Sequence, residues 1–466
     1  MRSKSGKYLY RWLCSFVLLV GSTALFTDAW YDFVKVNNQT GHLLGIANIG
    51  MAVLIYAALF AWVGRWMHAF KIGVERTANL MASGILTILT VDVAEVFISL
   101  AITGQFRFFF DFLQVYIPMF VAQVLIYGFL LLPMIWGYRR LFKPLTLVEI
   151  HGVYRNHLAE KLTDLKYKYK VVDSVDCTAG TDEIRRRIAD ADAVLINDVP
   201  SQMENRIIKE CYDLGKRAYL APKLSDIIIK ASEELNVVDT PLFLNRNIGL
   251  NLFQRILKRV CDVAFSFVAL VVLSPLMIVI AAAIHAEDHG PVFFRQERCT
   301  INNRRFMMLK FRSMVVDAEK DGAPHPAGVH DERITRVGRM IRSARLDELP
   351  QLFNILKGDM SIVGPRPERI ENVELYTREI PEFAFRAKVK GGLTGYAQVY
   401  GKYNTSALDK LKLDLMYIVN YSFLLDIQIL FETLKILFQR ESTEGFSEEQ
   451  IDHMKQEQQE PPSAKL

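Results

Sequence analysis

Four long apolar stretches occupy the first third of the chain. They run over 8–26, 43–62, 80–102 and 112–136. Each is close to the ~20 residues that an α-helix needs to cross a bilayer. Between 145 and 247, short apolar runs alternate instead with charged helical segments. The pattern therefore predicts a membrane part followed by a water-soluble part.

The water-soluble part has a strand–helix–strand rhythm. Apolar runs at 170–175, 193–196 and 218–220 predict strands, and the segments 182–189 and 203–214 predict helices. Such alternation predicts a parallel sheet. A dinucleotide site of the Rossmann type needs three glycines after the first strand, and the turns at Gly152 and Gly180 have one each. We therefore expect a Rossmann-like domain with a structural or oligomerisation role rather than a cofactor site.

A fifth apolar run, 260–284, allows two topologies. It is long enough to cross a membrane, but Ser274 and Pro275 interrupt its middle. Proline removes a backbone donor, so a kink is expected there. An ordinary fifth span would place everything after it outside the cell. The downstream segment is rich in Arg and Lys, which favours the cytoplasmic side, so we predict a re-entrant helix that bends at Ser274-Pro275 and returns.

Loop charges orient the first four stretches. Most of the basic residues lie at the start of the first stretch, between the second and third, and after the fourth: Arg2, Lys4, Lys7, Arg11, Arg65, Lys71, Arg76, Arg139, Arg140 and Lys143. The other two connections carry Lys35 and Arg107. The positive-inside rule then places both ends of this segment in the cytoplasm. Asp92 and Glu95 lie within the third stretch, where helix packing and a functional role are equally open.

Composition adds little to this picture. Of the 466 residues, 51% are hydrophobic, and the mean hydropathy of +0.15 lies between the values of a soluble protein and a transporter. The net charge of +5 is compatible with anionic lipid or phosphorylated ligands, and we expect no nucleic-acid partner. The five cysteines are far apart and form no Cys-x-x-Cys, which argues against a zinc site or a disulfide framework.

The segment 291–439 concentrates the residues that could do chemistry. Two basic clusters flank the acidic pair Asp347-Glu348. The clusters contain Arg295, Arg298, Arg304, Arg305, Lys310 and Arg312, then Arg366, Arg369, Arg386, Lys388, Lys390 and Lys402. Arg and Lys bind phosphate oxygens through charge-assisted hydrogen bonds. Many cations around few carboxylates indicate a polyanionic substrate with a metal.

The acidic pair precedes a predicted helix. Pro350 suits a first helical turn, the following apolar residues have helical spacing, and Gly358 is a stop signal. Asp347 should then lie at or near the N-cap, where backbone donors favour its ionised form. Adjacent residues do not face each other on a helix, so the two carboxylates can hold separate roles. By spacing alone, a simple capping role for Asp347 is equally open.

Several ordered motifs resemble the bacterial sugar transferase family, the monotopic polyprenyl-phosphate glycosyl-1-phosphate transferases. They are KFRSM at 310–314, LDELPQL at 346–352, LKGDMS at 356–361, VGPRPE at 363–368, LTGYAQV at 393–399 and LDLMY at 413–417. The resemblance covers about 259–438. Four spans and a Rossmann-like middle domain resemble, more loosely, the long members of this family.

The resemblance implies a two-step covalent reaction. The Asp347 carboxylate would attack a UDP-sugar, release UMP and pass the phosphosugar to undecaprenyl phosphate. Glu348 would assist, and Mg²⁺ would lie by Asp347. The implied phosphate-binding residues are Lys310, Arg312, Arg345, Arg366 and Lys402. Such a reaction would be the first membrane step of exopolysaccharide, capsule or O-antigen synthesis.

Some positions depart from the family pattern. Asn302 and Asn303 replace glycines after the Arg-Gln-x-Arg turn, and because Asn tolerates left-handed backbone we expect the turn to survive. Lys402 stands where Arg is common, which leaves the identity of the sugar open. After Ser422 an amphipathic stretch could lie in the membrane interface or pack on the catalytic core.

The predicted fold is therefore that of a membrane protein of the α + α/β class. It has a four-helix transmembrane bundle (1–144), a Rossmann-like middle domain (145–250), a re-entrant helix with an α-rich cytoplasmic catalytic domain (251–439), and a polar tail (440–466) expected to be disordered. We expect a multi-pass protein of the bacterial inner membrane, and the resemblance leaves a homodimer open.

Two other functions are weaker. A membrane nucleotide-sugar dehydratase would need a glycine-rich loop and a Tyr-x-x-x-Lys base. Tyr212 and Lys216 have that spacing, but the loop is missing. A non-enzymatic scaffold for polysaccharide assembly would have no use for Asp347-Glu348 among so many arginines.

Overall fold

The computed structural model describes residues 4–37, 46–104, 106–152, 158–162, 165–245, 249–316, 318, 331–402 and 405–437. Contacts divide the chain into two compact units, Met1–Ala221 and Pro222–Leu466. The domain limits at 144 and 250 stay predictions. The polar tail that we expect to be disordered, 440–466, lies outside the described residues.

The first unit begins with four long helices. They are α1 (Lys4–Asn37), α2 (Ile46–Trp66), α3 (Thr77–Thr103) and α4 (Phe109–Leu141). Helix α1 contacts α2 and α4, and α3 contacts the same two helices. By length and composition, five helices in the described part of the chain could cross a membrane, namely these four and one in the second unit. The apolar pattern predicts all five positions.

A parallel sheet completes the first unit. Its strands β1 (Leu145–His151), β2 (Tyr169–Asp176), β3 (Ala193–Asn197) and β4 (Arg217–Leu220) lie in the order β2-β1-β3-β4. Every neighbouring pair is parallel. The helices between them are α5 (Leu158–Leu162), α6 (Thr181–Asp190) and α7 (Ser201–Asp213). The predicted α/β rhythm is confirmed, because each predicted strand and helix of this part coincides with one of these elements.

The second unit begins with elements that the apolar pattern does not predict. Helix α8 (Leu224–Lys230) precedes an antiparallel hairpin of β5 (Glu233–Val237) and β6 (Thr240–Leu244). Ile227 of α8 is buried in one hydrophobic core with Leu411 and Leu415. The hairpin strands are exposed on both faces, so they carry no alternation of buried and exposed positions for a pattern to detect.

Helix α9 (Leu252–Asp288) contains the fifth apolar run. Asn251 caps its first turn, because its side chain accepts a hydrogen bond from the Gln254 backbone N at 2.8 Å. Helical structure continues through Pro275, and the Ser274 hydroxyl donates to the Val271 carbonyl at 2.8 Å. This bond gives the residue before the proline a partner within the preceding turn.

Both ends of α9 pack on the rest of the second unit. Near its start, the Lys258 ammonium donates to Asp426 at 2.6 Å, and Asp262 accepts from the Ser361 hydroxyl at 3.0 Å. Toward its end, Ile280 and Ile284 share a core with partners from later in the chain. Between these contacts the helix presents apolar side chains to its surroundings: Phe265, Phe267, Val268, Val271 and Val272 are all exposed.

The remaining elements form a helix-rich unit with little sheet. They are the antiparallel pair β7 (Phe293–Cys299) and β8 (Arg305–Phe311), the parallel pair β9 (Ser361–Val363) and β10 (Gly392–Thr394), and the helices α10 (Arg336–Ser343), α11 (Gln351–Lys357), α12 (Ile370–Glu379), α13 (Tyr396–Tyr400), α14 (Ala407–Val419) and α15 (Phe423–Leu437). Asn302 and Asn303 adopt φ values of 55° and 56° in the β7–β8 turn. The predicted left-handed backbone at these two residues is confirmed.

Helix α15 packs on the rest of the second unit. Ile429 is fully buried in the core that also holds Leu415, and Asp426 accepts a hydrogen bond from the Tyr417 hydroxyl at 2.8 Å. On its other side Leu424 is 53% exposed. This amphipathic stretch was predicted to lie in the membrane interface or to pack on the core. The structure shows that it packs on the core, while Leu424 and Leu434 stay exposed.

Candidate active site

The acidic pair lies in a tight turn between α10 and α11. Asp347 and Glu348 belong to a 3₁₀ turn, Leu346–Glu348, and Arg345 before it has a left-handed φ of 54°. Helix α11 begins only at Gln351 and ends at Gly358, whose φ is 96°. The predicted stop at Gly358 is confirmed. The predicted position of Asp347 at or near the N-cap is wrong, because the 3₁₀ turn comes first and Pro350 is the N-cap of α11.

Glu348 is clamped between two cations from distant parts of the chain. Lys310 of β8 donates to its Oε1 at 3.1 Å, and Arg366 donates to the same oxygen at 2.7 Å. The Glu348 side chain is only 13% exposed. Burial opposes ionisation of this carboxyl, but Arg366 and Lys310 outweigh burial and lower its pKa well below the usual value. Glu348 is therefore an ionised anchor for the two cations.

Asp347 is in a different state from its neighbour. Within the described part of the chain, no hydrogen bond or ion pair engages its carboxylate. Burial raises its pKa above the ordinary aspartate value, although the nearby Lys310 works in the opposite direction. We expected backbone donors to favour the ionised form, and this expectation is wrong because the 3₁₀ turn directs no backbone N–H to the side chain. An unpaired, partly buried carboxylate beside cations is what a nucleophile requires.

Close backbone packing positions Arg366. The Gly364 backbone N donates to the Thr394 carbonyl at 2.8 Å. A Cβ on Gly364 would lie 2.4 Å from the Lys390 carbonyl oxygen, and one on Gly395 would lie 2.0 Å from the Gly364 carbonyl oxygen. Only glycine allows two backbone segments to approach this closely. The Gly-Pro-Arg-Pro segment is thereby held in place, and Arg366 also donates to the Gln398 side-chain oxygen at 3.2 Å.

A second set of charged side chains holds the Gly-Pro-Arg-Pro segment through hydrogen bonds and ion pairs. Arg386 donates to the Asp414 carboxylate at 2.6 Å and to the Arg366 carbonyl at 3.1 Å. Lys410 donates to Glu368 at 2.5 Å. Burial opposes ionisation of Glu368, but Lys410 and Arg386 prevail and lower its pKa to about 2. Sequence reasoning assigned no role to Lys410 or Asp414, and the available signal was an acid among the apolar residues of LDLMY.

Known proteins are similar to this chain over the segment that carries the acidic pair. The family model described as bacterial sugar transferase matches residues 253–440. A UDP-glucose:undecaprenyl-phosphate glucose-1-phosphate transferase of Caulobacter vibrioides is 40% identical over 187 residues, which cover 39% of this chain and 69% of that protein. The chain belongs to the bacterial sugar transferase family.

Two further relatives extend the match. A UDP-N-acetylgalactosamine-undecaprenyl-phosphate N-acetylgalactosaminephosphotransferase of Aeromonas hydrophila is 45% identical over 184 residues, 39% of this chain and 43% of that protein. A UDP-glucose:undecaprenyl-phosphate glucose-1-phosphate transferase of Klebsiella pneumoniae is 35% identical over 294 residues, 61% of each chain. The matched segments thus cover less than two thirds of these two relatives.

The structure of this bacterial sugar transferase gathers some of the predicted site residues and not others. Lys310, Asp347, Glu348 and Arg366 come together. Arg312 instead pairs with Asp288 at the end of α9 and donates to the Pro291 carbonyl at 2.7 Å. Its side chain is 8% exposed. These contacts anchor Arg312 at the end of α9, and its phosphate-binding role stays a prediction.

Arg345 and Lys402 occupy more peripheral positions. Arg345 lies at the left-handed residue that opens the 3₁₀ turn, and its charge helps to lower the pKa of Glu348. Lys402 is exposed, and its backbone N donates to the Thr405 hydroxyl at 2.7 Å. For both residues a role in binding phosphate stays a prediction.

The residues that suggested a dehydratase do not form a site. Tyr212 is 89% exposed on α7. The Lys216 ammonium donates to the carbonyls of Ala189 and Ala191, each at 2.7 Å, and so binds the end of α6. A catalytic base pair needs the two side chains to face one substrate, and these contacts do not provide that arrangement.

The acidic turn is compatible with a magnesium ion shared with a substrate. No group of three or more His, Cys, Asp or Glu residues that could hold a metal occurs within the described ranges. Mg²⁺ at nucleotide sites is commonly held by one or two carboxylates together with substrate phosphates. The unpaired carboxylate of Asp347 fits such a site, whereas Glu348 is already neutralised by Lys310 and Arg366.

Proposed function

We propose that this protein transfers a sugar 1-phosphate from a UDP-sugar to undecaprenyl phosphate and releases UMP. The observation that carries the proposal is the contrast within the acidic pair. Glu348 is fixed by Lys310 and Arg366, while the adjacent Asp347 carboxylate has no partner among the described residues. The three relatives are named as transferases of the same class of reaction.

In the first step the Asp347 carboxylate attacks the phosphorus that carries the sugar. A P–O bond to Asp347 forms, and the P–O bond to the bridging oxygen breaks. UMP leaves with that oxygen, and the phosphosugar stays on Asp347. Lys310 and Arg366 face the charge that develops on the phosphate oxygens, and Glu348 holds them in position before substrate arrives.

In the second step a phosphate oxygen of undecaprenyl phosphate attacks the same phosphorus. The bond to Asp347 breaks, and its carboxylate is regenerated, so atoms and charge balance without another reactant. Bound Mg²⁺ would supply charge neutralisation of the diphosphate beside Asp347. Burial of Asp347 makes its carboxylate less well solvated, which favours attack on phosphorus and gives a basis for the raised pKa of this residue.

The acceptor is a lipid, and we infer that α9 brings the site to the membrane as a re-entrant helix. Two observations support this topology. The start of α9 is tied to the catalytic unit by Lys258–Asp426, and its end by Arg312–Asp288. A helix that crossed the whole bilayer could not keep both ends on one soluble unit. The exposed apolar side chains between these ties, such as Val271 and Val272, would then lie in one leaflet around Ser274-Pro275.

Topology can be tested with single added cysteines. In Glu371→Cys, at an exposed position in the first turn of α12, we expect no labelling by a membrane-impermeant thiol reagent in intact cells and full labelling after permeabilisation. Phe106→Cys, in the exposed connection before α4, is the matched control that should react in intact cells. Labelling of Glu371→Cys in intact cells would refute the re-entrant topology.

The rest of the chain fits a multi-pass protein of the bacterial inner membrane. We propose that α1–α4 form a four-helix transmembrane bundle with its ends in the cytoplasm, since the basic residues flank those ends. The parallel sheet would serve as a Rossmann-like module, with a homodimer as one use of it. In this setting the reaction would start exopolysaccharide, capsule or O-antigen synthesis.

A panel of radiolabelled UDP-sugars tests the reaction and names the sugar. Membranes that contain the protein are incubated with undecaprenyl phosphate and UDP-glucose, UDP-galactose, UDP-N-acetylglucosamine or UDP-N-acetylgalactosamine. We expect one donor to give lipid-linked label with stoichiometric UMP. NAD-dependent conversion of free UDP-sugar would instead support the dehydratase, and no turnover with any donor would favour the scaffold.

A further inference from the structure

Three polar residues of α3 form a line along its buried face. Asp92, Glu95 and Ser99 follow each other at helical spacing and are 4%, 0% and 0% exposed. Both carboxylates lie within a segment long and apolar enough to cross a membrane. An ionised carboxylate in such surroundings costs several kcal/mol or more unless a positive charge or a proton accompanies it.

Side chains from α2 and α4 form a buried polar cluster with Asp92. The Tyr56 hydroxyl donates to Asp92 Oδ1 at 3.4 Å. Gln123 donates through Nε2 to the Tyr56 oxygen at 2.9 Å and to the Ser22 carbonyl at 3.2 Å. A carbonyl oxygen can only accept, so the Ser22 contact sets the orientation of the Gln123 amide and directs Oε1 to the other side.

Four oxygens of this region are buried and accept no hydrogen bond from the described residues. They are Asp92 Oδ2, both carboxylate oxygens of Glu95, and Gln123 Oε1. In the described part of α1–α4 no Lys or Arg forms an ion pair with either carboxylate. The described side chains of the cluster thus have more buried acceptor oxygens than donors, and no basic side chain among them balances the two carboxylates.

Aromatic side chains contact two residues beside these carboxylates, Tyr56 and Ser99. Tyr56 stacks on Phe26 with ring centroids 4.2 Å apart. The Tyr116 hydroxyl lies 2.9 Å from the Ser99 hydroxyl, which also accepts from the Trp30 indole at 3.1 Å. Ser99 is therefore satisfied by its own partners, whereas Asp92, Glu95 and Gln123 are not. The unpaired acceptor oxygens lie on the buried faces of α3 and α4.

We propose that Asp92, Glu95 and Gln123 form a binding site for a small monovalent cation of the Na⁺ class. All available ligand atoms are oxygens, which hard cations prefer. One monovalent cation and one proton held by the carboxyl pair together balance the two negative charges of Asp92 and Glu95. One cation contacts oxygens of α3 and α4 together, so its binding holds these helices to each other.

Direct binding of ²²Na⁺ tests the site. The full-length protein is purified, placed in lipid nanodiscs, and titrated with ²²NaCl. We expect saturable binding of about one ion per chain, reduced at least tenfold in Asp92→Asn, Glu95→Gln and Gln123→Leu. Asp111→Asn is the matched control, because Asp111 is an exposed acid in the first turn of α4, and it should bind like the wild type.

Thermal unfolding distinguishes a variant that has lost the ion from a variant that does not fold. A ligand that binds only the folded state raises the melting temperature. We expect the wild-type melting temperature to be at least 3 °C higher in NaCl than in choline chloride of equal ionic strength, and Glu95→Gln to show no difference between the salts. If the wild type shows neither saturable ²²Na⁺ binding nor this salt difference, the carboxyls are neutralised by protons and the proposal is overturned.

Discussion

Asp347→Asn lowers UMP release by at least about 10⁴-fold, the order of loss seen when a catalytic nucleophile is removed. The amide keeps the size of the side chain but cannot form the phosphosugar bond. Because Asp347 has no partner among the described residues and its pKa is raised by burial, its ionised form costs folding free energy at neutral pH. The variant should therefore be as stable as the wild type or more so. Initial rates of UMP release and thermal melts check both halves of this prediction.

Glu371→Gln is the matched control for this substitution. It removes one carboxylate from the exposed first turn of α12 in the same unit, and its activity should stay within twofold of the wild type. Mass spectrometry adds a second readout. With UDP-sugar but no lipid acceptor, the wild-type peptide that contains Asp347 should gain the mass of the phosphosugar, and the Asn variant should not. Near-normal UMP release by Asp347→Asn would refute its role as nucleophile.

Glu348→Gln lowers both activity and stability. The substitution leaves Lys310 and Arg366 without their shared counter-charge, and breaking a buried ion pair from one side costs about 3–5 kcal/mol. We expect the lower end of this range, because the Arg366 side chain is 33% exposed. The pKa of Glu348 is lowered in the fold, so its contribution is fully present above its unfolded pKa and is lost only as pH falls toward the folded value. The full penalty therefore applies at pH 7.

Activity of Glu348→Gln should fall by about 10²–10³-fold, as when one preorganised electrostatic group is removed from an active site. The double variant Lys310→Met/Glu348→Gln separates the two effects. It removes one of the unpaired cations, so stability should partly recover relative to Glu348→Gln, whereas activity should not. Chemical denaturation and UMP release are measured on both. Recovery of activity together with stability would mean that neither Lys310 nor Glu348 acts in catalysis.

Local patterns predicted those parts of the fold that depend on local physics. The apolar stretches located α1–α4 and α9, because a helix in lipid must satisfy its own backbone and be apolar over its whole length. The strand–helix alternation located β2, β3 and β4 for a similar reason, since the pattern of buried positions is set within each element. The hairpin β5–β6 was not predictable in this way, because its strands bury neither face.

The motifs likewise located the acidic pair but did not indicate which of its two carboxylates forms ion pairs. Asp347 and Glu348 are adjacent and chemically similar, so no property of the sequence near them says which one is paired. Spacing also placed Asp347 at or near a helix N-cap, whereas the structure has a 3₁₀ turn there after the left-handed Arg345. Arg312, which belongs to the same motif as Lys310, faces Asp288 and not the acidic pair.

By itself, the sequence located the five long apolar helices of the described part of the chain, the parallel sheet, the positive-φ turn at Asn302 and Asn303, and the place of the acidic pair among its motifs. Only the tertiary structure decided that Glu348 is held by Lys310, 38 residues before it, and by Arg366, 18 residues after it, while Asp347 is left unpaired. The physical reason is that burial and Coulomb interactions depend on distance in space. Two neighbouring carboxylates therefore acquire opposite pKa shifts from residues that the chain brings together only when it folds.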